Sequence, residues 1–273
     1  MLISRRATLS LRTGALLYLA VLLLAPLAMI FYRTFEHGLG TAWGWVTTPA
    51  AISALWLSVL IAAIAVPLNT IFGVGCAMLL VRGRGWAAAV LDAIIDLPFV
   101  VSPVIVGLAL VLVYGQGGWF GDWFLHHGIR IIYAPAGMVI ATIFVSLPFV
   151  VREVAPVLKE VGEEQEQAAA TLGASSWQTF WRVTLPSIRW GVAYGVVLTT
   201  ARALGEIGAV AVVSSNVAGS TLTLPLLVQQ RDSQVVGAQG LTGAYAAATE
   251  LAVISLVVLL AMTVLAPRKD EPS

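Results

Sequence analysis

Six long apolar runs divide this chain, at residues 14–32, 52–81, 90–114, 133–151, 188–213 and 245–266. About 20 predominantly apolar residues are needed for a helix to cross the hydrocarbon core of a bilayer, where the backbone must satisfy its own hydrogen bonds. Runs of this length predict an all-α, polytopic membrane protein with six transmembrane helices, residues 1–273 forming one transmembrane domain. Composition agrees, with 59% of residues hydrophobic and 11% charged, against roughly 25% charged in a soluble domain. A formal net charge of +1 offers no basic field for nucleic acid. The single cysteine, Cys76, excludes an intrachain disulfide framework, and three histidines (His37, His126, His127) build no His-rich metal site, so no metal is expected.

Within the runs, a few residues set local expectations. Pro67, Asn69, Gly73 and Gly75 predict a kinked or tilted second helix, with Asn69 bonded to a neighbour. Pro98 and Pro103 fall in the third run, which therefore faces protein or a cavity that satisfies the freed carbonyls. Arg5, Arg6 and Arg12 precede the first run as in a signal peptide. Its apolar core is too long for one, and no small-x-small cleavage site follows, so a retained helix is expected. Basic residues near the ends of spans set orientation. With the amino terminus inside, Arg5, Arg6, Arg12, Arg82, Arg84, Arg152, Lys159, Arg182, Arg189, Arg268 and Lys269 lie inside, while Arg33, Arg130 and Arg231 lie outside. Both termini are thus expected in the cytoplasm. Tyr114, Trp119, Trp123 and Tyr133 bracket the outer ends of the third and fourth helices like an aromatic belt.

This orientation makes residues 152–187 a cytoplasmic loop. Leu158, Val161, Gln165, Ala168 or Ala169, and Leu172 recur at helical spacing, opposite Glu160, Glu163, Glu164 and Glu166. Gly173 is placed to end that helix in the left-handed conformation, and Ser175 or Ser176 can cap a second one. Trp177, Phe180 and Trp181 then share one face at i, i+3 and i+4, and Leu185-Pro186 stops the helix and turns the chain into the fifth span. Ala168-Ala169, Gly173 four residues on, and Val183-x-Leu185-Pro186 ten residues after that resemble the EAA loop of ATP-binding-cassette importer permeases. In that family the loop is the knob that seats in a groove of the ATPase. The resemblance implies that Gln167, Ala168, Ala169, Gly173, Trp177, Phe180, Trp181, Val183, Leu185 and Pro186 couple this chain to an ATPase. One departure is Gln167, where the family usually has glutamate; Glu166 stands one place earlier. The bland alternative is an amphipathic loop helix lying against the membrane, which leaves the joint match of all four features unexplained.

The resemblance extends over nearly the whole chain. IIDLPFVVSPVIVG (94–107), SLPFVVREV (146–154), the loop itself, RALGEIGAVAVVSSN (202–216) and TLTLPL (221–226) are similar to sulfate/thiosulfate importer permeases of the CysW type. Molybdate permeases share the RALGE-type segment, so a permease for molybdate or another tetrahedral oxyanion stays open. The resemblance implies a type I importer permease in the bacterial inner membrane, paired with a second homologous permease subunit as a heterodimer. It further implies a cytoplasmic ATPase dimer, an extracytoplasmic sulfate-binding protein, membrane lipid around the helices, and sulfate or thiosulfate as the transported anion. No cofactor is expected in this chain, with ATP and Mg on the partner ATPase.

Arg202 and Glu206 lie four apart in the fifth run and so share a helix face. An arginine there costs at least roughly 2.5–3.5 kcal/mol unless it faces protein or water. Two readings stand: Arg202 lines the anion route with Glu206 limiting its grip, or the pair neutralises itself and locks helix packing. Asp92 and Asp96 are either coupling carboxylates of a secondary transporter or partners for Arg152 or Arg189. Glu250, near the outer entrance of the sixth run, is expected to be water-exposed, and Cys76 to be buried. No GxxxxGK[S/T] loop, HExxH or GxSxG occurs, so the chain is not expected to be an enzyme. A secondary transporter is the rival reading, but it would require deep coupling carboxylates and an internal repeat.

Overall fold

Prolines and glycines partition this helical chain. The computed structural model describes residues 5–83, 85–234 and 238–265, with the side chains of 5–11, 235–240, 263 and 265 left aside. Arg84, Ala266, Arg268 and Lys269, which figured in the expected spans and charge asymmetry, lie outside the described residues, as do the side chains of Arg5 and Arg6. Fourteen α-helices and one π-helical turn are present among the described residues. Four helices are long and apolar enough to cross a membrane, and a bent pair makes up to five.

The first span is α1 (Arg5–Phe35), which presents its apolar side chains outward. It touches α14 (Ala238–Leu265) through a hydrogen bond between the Thr34 and Thr249 hydroxyls at 2.7 Å. After the short α2 (Leu39–Val46), Thr48 caps α3 (Pro49–Arg82) by accepting from the Ala51 N–H at 3.3 Å. Helix α3 is unbroken through Pro67 and forms the centre of the fold with α7 (Pro135–Val161) and α11 (Arg189–Leu204). These three approach closely because the contact positions are glycine. A Cβ on Gly73 would sit 2.6 Å from Val150 Cβ, and one on Gly195 would sit 3.0 Å from Val150 Cα. Asn69 adds the expected bond to a neighbouring helix, donating to Ile143 O at 3.2 Å and Ser146 Oγ at 2.8 Å.

The first and sixth helices begin nine and seven residues before their expected starts, and three further spans differ from the structure. The third run is two helices, α4 (Trp86–Val100) and α5 (Pro103–Tyr114), bent by 109°. Pro98 is carried inside α4; the break falls at Val101-Ser102 because Pro103 forces extended backbone on the residue before it and then starts a helix. The fifth run is also interrupted, with α11 ending at Leu204 and α12 (Gly208–Val213) following after a three-residue gap. The fourth helix runs on to Val161, ten residues past its expected end, because Pro148 and Pro156 are tolerated inside it.

Beyond α6 (Gly121–His126) and α12, helix α13 (Leu224–Ser233) packs on α3 and α14. Arg231 fastens this end. Its guanidinium donates to Thr48 Oγ1 at 2.8 Å, Trp45 O at 3.2 Å and Gly243 O at 3.0 Å, and lies 5.1 Å from the Trp45 ring centre. Glu250, expected to be exposed, is 9% exposed, since α14 turns it into the bundle. Cys76 is only partly buried, against the core around Val150 and Val154.

Candidate functional site

The segment after α7 is a hairpin. Gly162 leaves α7 at φ +70°, and α8 (Glu164–Thr171) begins in a new direction. The stripe from Leu158 to Leu172 is therefore split rather than continuous: Leu158 is buried in the core while Leu172 is 88% exposed. Gly173 has φ +83°, the left-handed conformation expected of it. Ser175, rather than Ser176, caps α9 (Ser176–Thr179) in a reciprocal box, with the Gln178 N–H and the Ser175 N–H each donating to the other's side-chain oxygen.

The aromatic face forms as spaced. Trp177, Phe180 and Trp181 pack with ring centres 5.4–6.3 Å apart. Phe180 leans on the core, whereas Trp177 and Trp181 remain 70% and 50% exposed. Leu185-Pro186 does not end the helix. A π turn (Phe180–Thr184) carries the chain through α10 (Leu185–Ser187) into α11, with the Leu185 N–H bonding Phe180 O. Pro186 follows the π turn directly, as the second residue of α10.

Two hollows flank α8. On one side Ala168, Ala169, Leu172, Val183 and Pro186 line an open cleft of about 750 Å³, with Arg182 and Arg189 also in its wall. On the other side Gln167 lies with Arg82, Glu163 and Glu166. The Arg82 guanidinium pairs with Glu166 Oε1, and the same oxygen accepts from the Thr184 hydroxyl at 2.5 Å. Sequence reading missed this link, since Arg82 and Glu166 are 84 residues apart and no local spacing connects them.

A second polar junction sits where the two interrupted helices meet. A Cβ on Gly208 would lie 2.8 Å from Pro103 Cβ, and one on Gly107 would lie 2.7 Å from Val212 Cβ, so each glycine lets a side chain of the facing helix pack directly on its backbone. Arg202 Nη1 is 2.6 Å from Glu206 Oε2, although Glu206 lies past the end of α11 rather than on the same helix. The other carboxylate oxygen accepts the Ala209 N–H at 2.8 Å, opening α12. The Glu206 side chain is 1% exposed and that of Arg202 is 30% exposed. Asp92 and Asp96 are claimed by Arg152, at 2.7 and 2.5 Å, as partners rather than as isolated carboxylates.

Several long apolar helices, tightly packed, are those of a multi-pass membrane protein. The model for "Binding-protein-dependent transport system inner membrane component" matches residues 69–271, and the chain belongs to this family. It is 49% identical over 254 residues to the sulfate transport system permease protein CysW of Synechocystis sp., covering 93% of this chain and 91% of that protein. It is 38% identical over 219 residues to CysT of the same organism, covering 80% of this chain and 77% of that protein. A bacterial ABC transporter importing the acidic polysaccharide alginate has the same fold, with a TM-score of 0.78, 17% identity and coverage of 97% of this chain and 96% of that one.

Proposed function

We propose that this chain is one permease subunit of an ATP-driven ABC importer of sulfate and thiosulfate in the bacterial inner membrane. The observation that carries the reading is identity of nearly half over almost the full length to a sulfate transport system permease. The weaker similarity to CysT supports a heterodimer of two homologous permeases. The family description supports an extracytoplasmic binding protein as the source of anion. In this reading the chain binds no cofactor, and ATP and Mg are bound by a separate ATPase dimer.

The whole chain acts as a single transmembrane domain with six crossings and both termini in the cytoplasm. The bent pair α4–α5 and the interrupted pair α11–α12 each provide one crossing. The hairpin then faces the ATPase. Gln167, Ala168, Ala169, Gly173, Trp177, Phe180, Trp181, Val183, Leu185 and Pro186 shape it, and the exposure of Trp177 and Trp181 supports contact with another protein. ATP binding favours one of two global arrangements, and only that difference in affinity moves the helices between inward and outward access. Arg202 gives the route a positive potential; its partial exposure beside a fully covered Glu206 supports this role.

Uptake of labelled sulfate by cells lacking sulfate import, supplied with the whole transport system, tests the substrate. Sulfate accumulation resistant to excess molybdate is expected. Accumulation abolished by equimolar molybdate would point to the other oxyanion. Orientation is tested separately with an impermeant thiol reagent on single-cysteine variants: a cysteine at Gly118 should react from outside and one at Glu164 should not.

A further inference from the structure

Helix α8 has eight residues, and none of them is buried. An isolated helix of that length does not hold itself together in water. Its two covalent joints are glycines at positive φ, Gly162 at +70° and Gly173 at +83°. With no buried side chain of its own, α8 has little apolar anchorage, and polar ties bear on its orientation. The strongest is the Glu166 carboxylate. One oxygen takes Arg82 from the last turn of α3 and the Thr184 hydroxyl from the π turn, joining three elements at a point. Thr184 is 3% exposed, so its hydroxyl is held on a firm base.

We infer that Glu166 is a positioning residue that ties the coupling hairpin to α3, giving a push at the aromatic tip a direct path into that spanning helix. The inference rests on the hairpin being the ATPase-docking element. Without the tie, the hairpin reaches the membrane domain through its own chain, into α7 and α11, and through the packing of Phe180 on the core. With it, α3 moves too, and α3 packs along both α7 and α11. The tie also gives physical meaning to the shifted acidic residue. Position 167 is an amide, while the neighbouring carboxylate is directed inward, so its charge serves the permease itself rather than the partner.

The test uses the complete transporter, permeases with ATPase subunits, in sealed proteoliposomes with sulfate and its binding protein. Glu166→Gln and Arg82→Gln are compared with the exchanged pair Arg82→Glu with Glu166→Arg. The single variants should assemble, retain the ATPase subunits and hydrolyse ATP. Sulfate imported per ATP hydrolysed should fall by roughly five-fold, within the range that transmission residues alter coupling, and recover substantially in the exchanged pair. Recovery by exchange separates a charge tie from a general loss of fold. An unchanged sulfate-to-ATP ratio in both singles, or no recovery in the pair, overturns the inference. So does loss of ATPase subunits from Glu166→Gln, which would make Glu166 a docking residue. If Glu166→Gln fails to assemble, Thr184→Val decides, because it removes one donor and keeps both charges: a lowered ratio supports the tie and an unchanged one overturns it. Trp177→Ala with Trp181→Ala tests the docking reading independently, since retained ATPase binding and uptake there would remove the hairpin from the coupling role.

Discussion

The two polar junctions use the same parts under different conditions. At the hairpin, Glu166 holds Arg82 and the Thr184 hydroxyl; between the interrupted helices, Glu206 holds Arg202 and the Ala209 N–H. In each, a carboxylate takes one guanidinium and one further donor where a helix changes course. The surroundings differ. The two arginines are alike, Arg82 28% and Arg202 30% exposed, but the Glu166 side chain is 18% exposed and that of Glu206 1%. A partly solvated pair gives little stability because water competes for both charges. A buried carboxylate that loses its partner has nothing to replace it. The inner junction should therefore govern whether the protein folds, and the outer one how its motions are joined.

The largest expected effect breaks this comparison at its buried side. Arg202→Leu leaves Glu206 uncompensated and should cost on the order of 3–5 kcal/mol, read as a large drop in thermal stability in detergent. Adding Glu206→Leu should return most of it. If the assembled double variant still fails to import sulfate while retaining ATPase, Arg202 shapes the anion route; near-normal import would leave the pair a packing device. A smaller effect follows from Gly208→Val. Its Cβ would meet Pro103 Cβ at 2.8 Å, and overpacking of this kind costs about 1–3 kcal/mol. Thermal stability should fall, and an unaffected melting temperature would mean that α5 and α12 separate easily.

Gly173→Val probes the exposed side. No neighbouring atom lies within 4 Å of a Cβ there, so strain at φ +83° alone is at work, at a cost above roughly 1 kcal/mol. The spans should insert normally while ATPase binding and uptake are lost; normal co-purification of the ATPase would contradict the docking role. Ser175→Ala removes one half of the capping box and should cost about 1 kcal/mol or less, seen as faster hydrogen exchange confined to α9. The smallest effect should come from a double-mutant cycle on Arg82 and Glu166 read in stability, with a coupling of about 0–1 kcal/mol. A value near that of the Arg202–Glu206 cycle would erase the contrast between the two junctions.

Local chemistry made much of this legible in the sequence. The glycine at 173, the i, i+3, i+4 aromatics and the asparagine at 69 each have one short-range physical reason, and each is found as expected. Interruptions were harder to place. Prolines 98, 148, 156 and 186 all look like breakers, yet all four sit inside or at the start of helices, whereas the 109° bend falls at Pro103. Which proline interrupts a helix depends on packing that spacing does not encode. The gap at Gly205 carries no proline at all. The Glu166–Arg82 tie and the threefold grip of Arg231 join residues 84 and up to 186 positions apart, so only the folded chain brings them together. Gly162 is the exception among the missed features: a glycine after Leu-Lys-Glu-Val is an ordinary helix-ending signal.

Helix α3 has 34 residues and is therefore about 51 Å long, while the hydrocarbon it crosses is about 30 Å thick. Its apolar sequence runs almost from end to end, so any excess that neighbouring helices do not cover must lie oblique to the membrane or draw the lipid out to meet it. Either response costs fractions of a kcal/mol per ångström of mismatch. The angle of α3 is thus shared between protein and lipid, and Arg82 sits at its far tip. Lipids with longer acyl chains should then let α3 stand more upright and shift that tip.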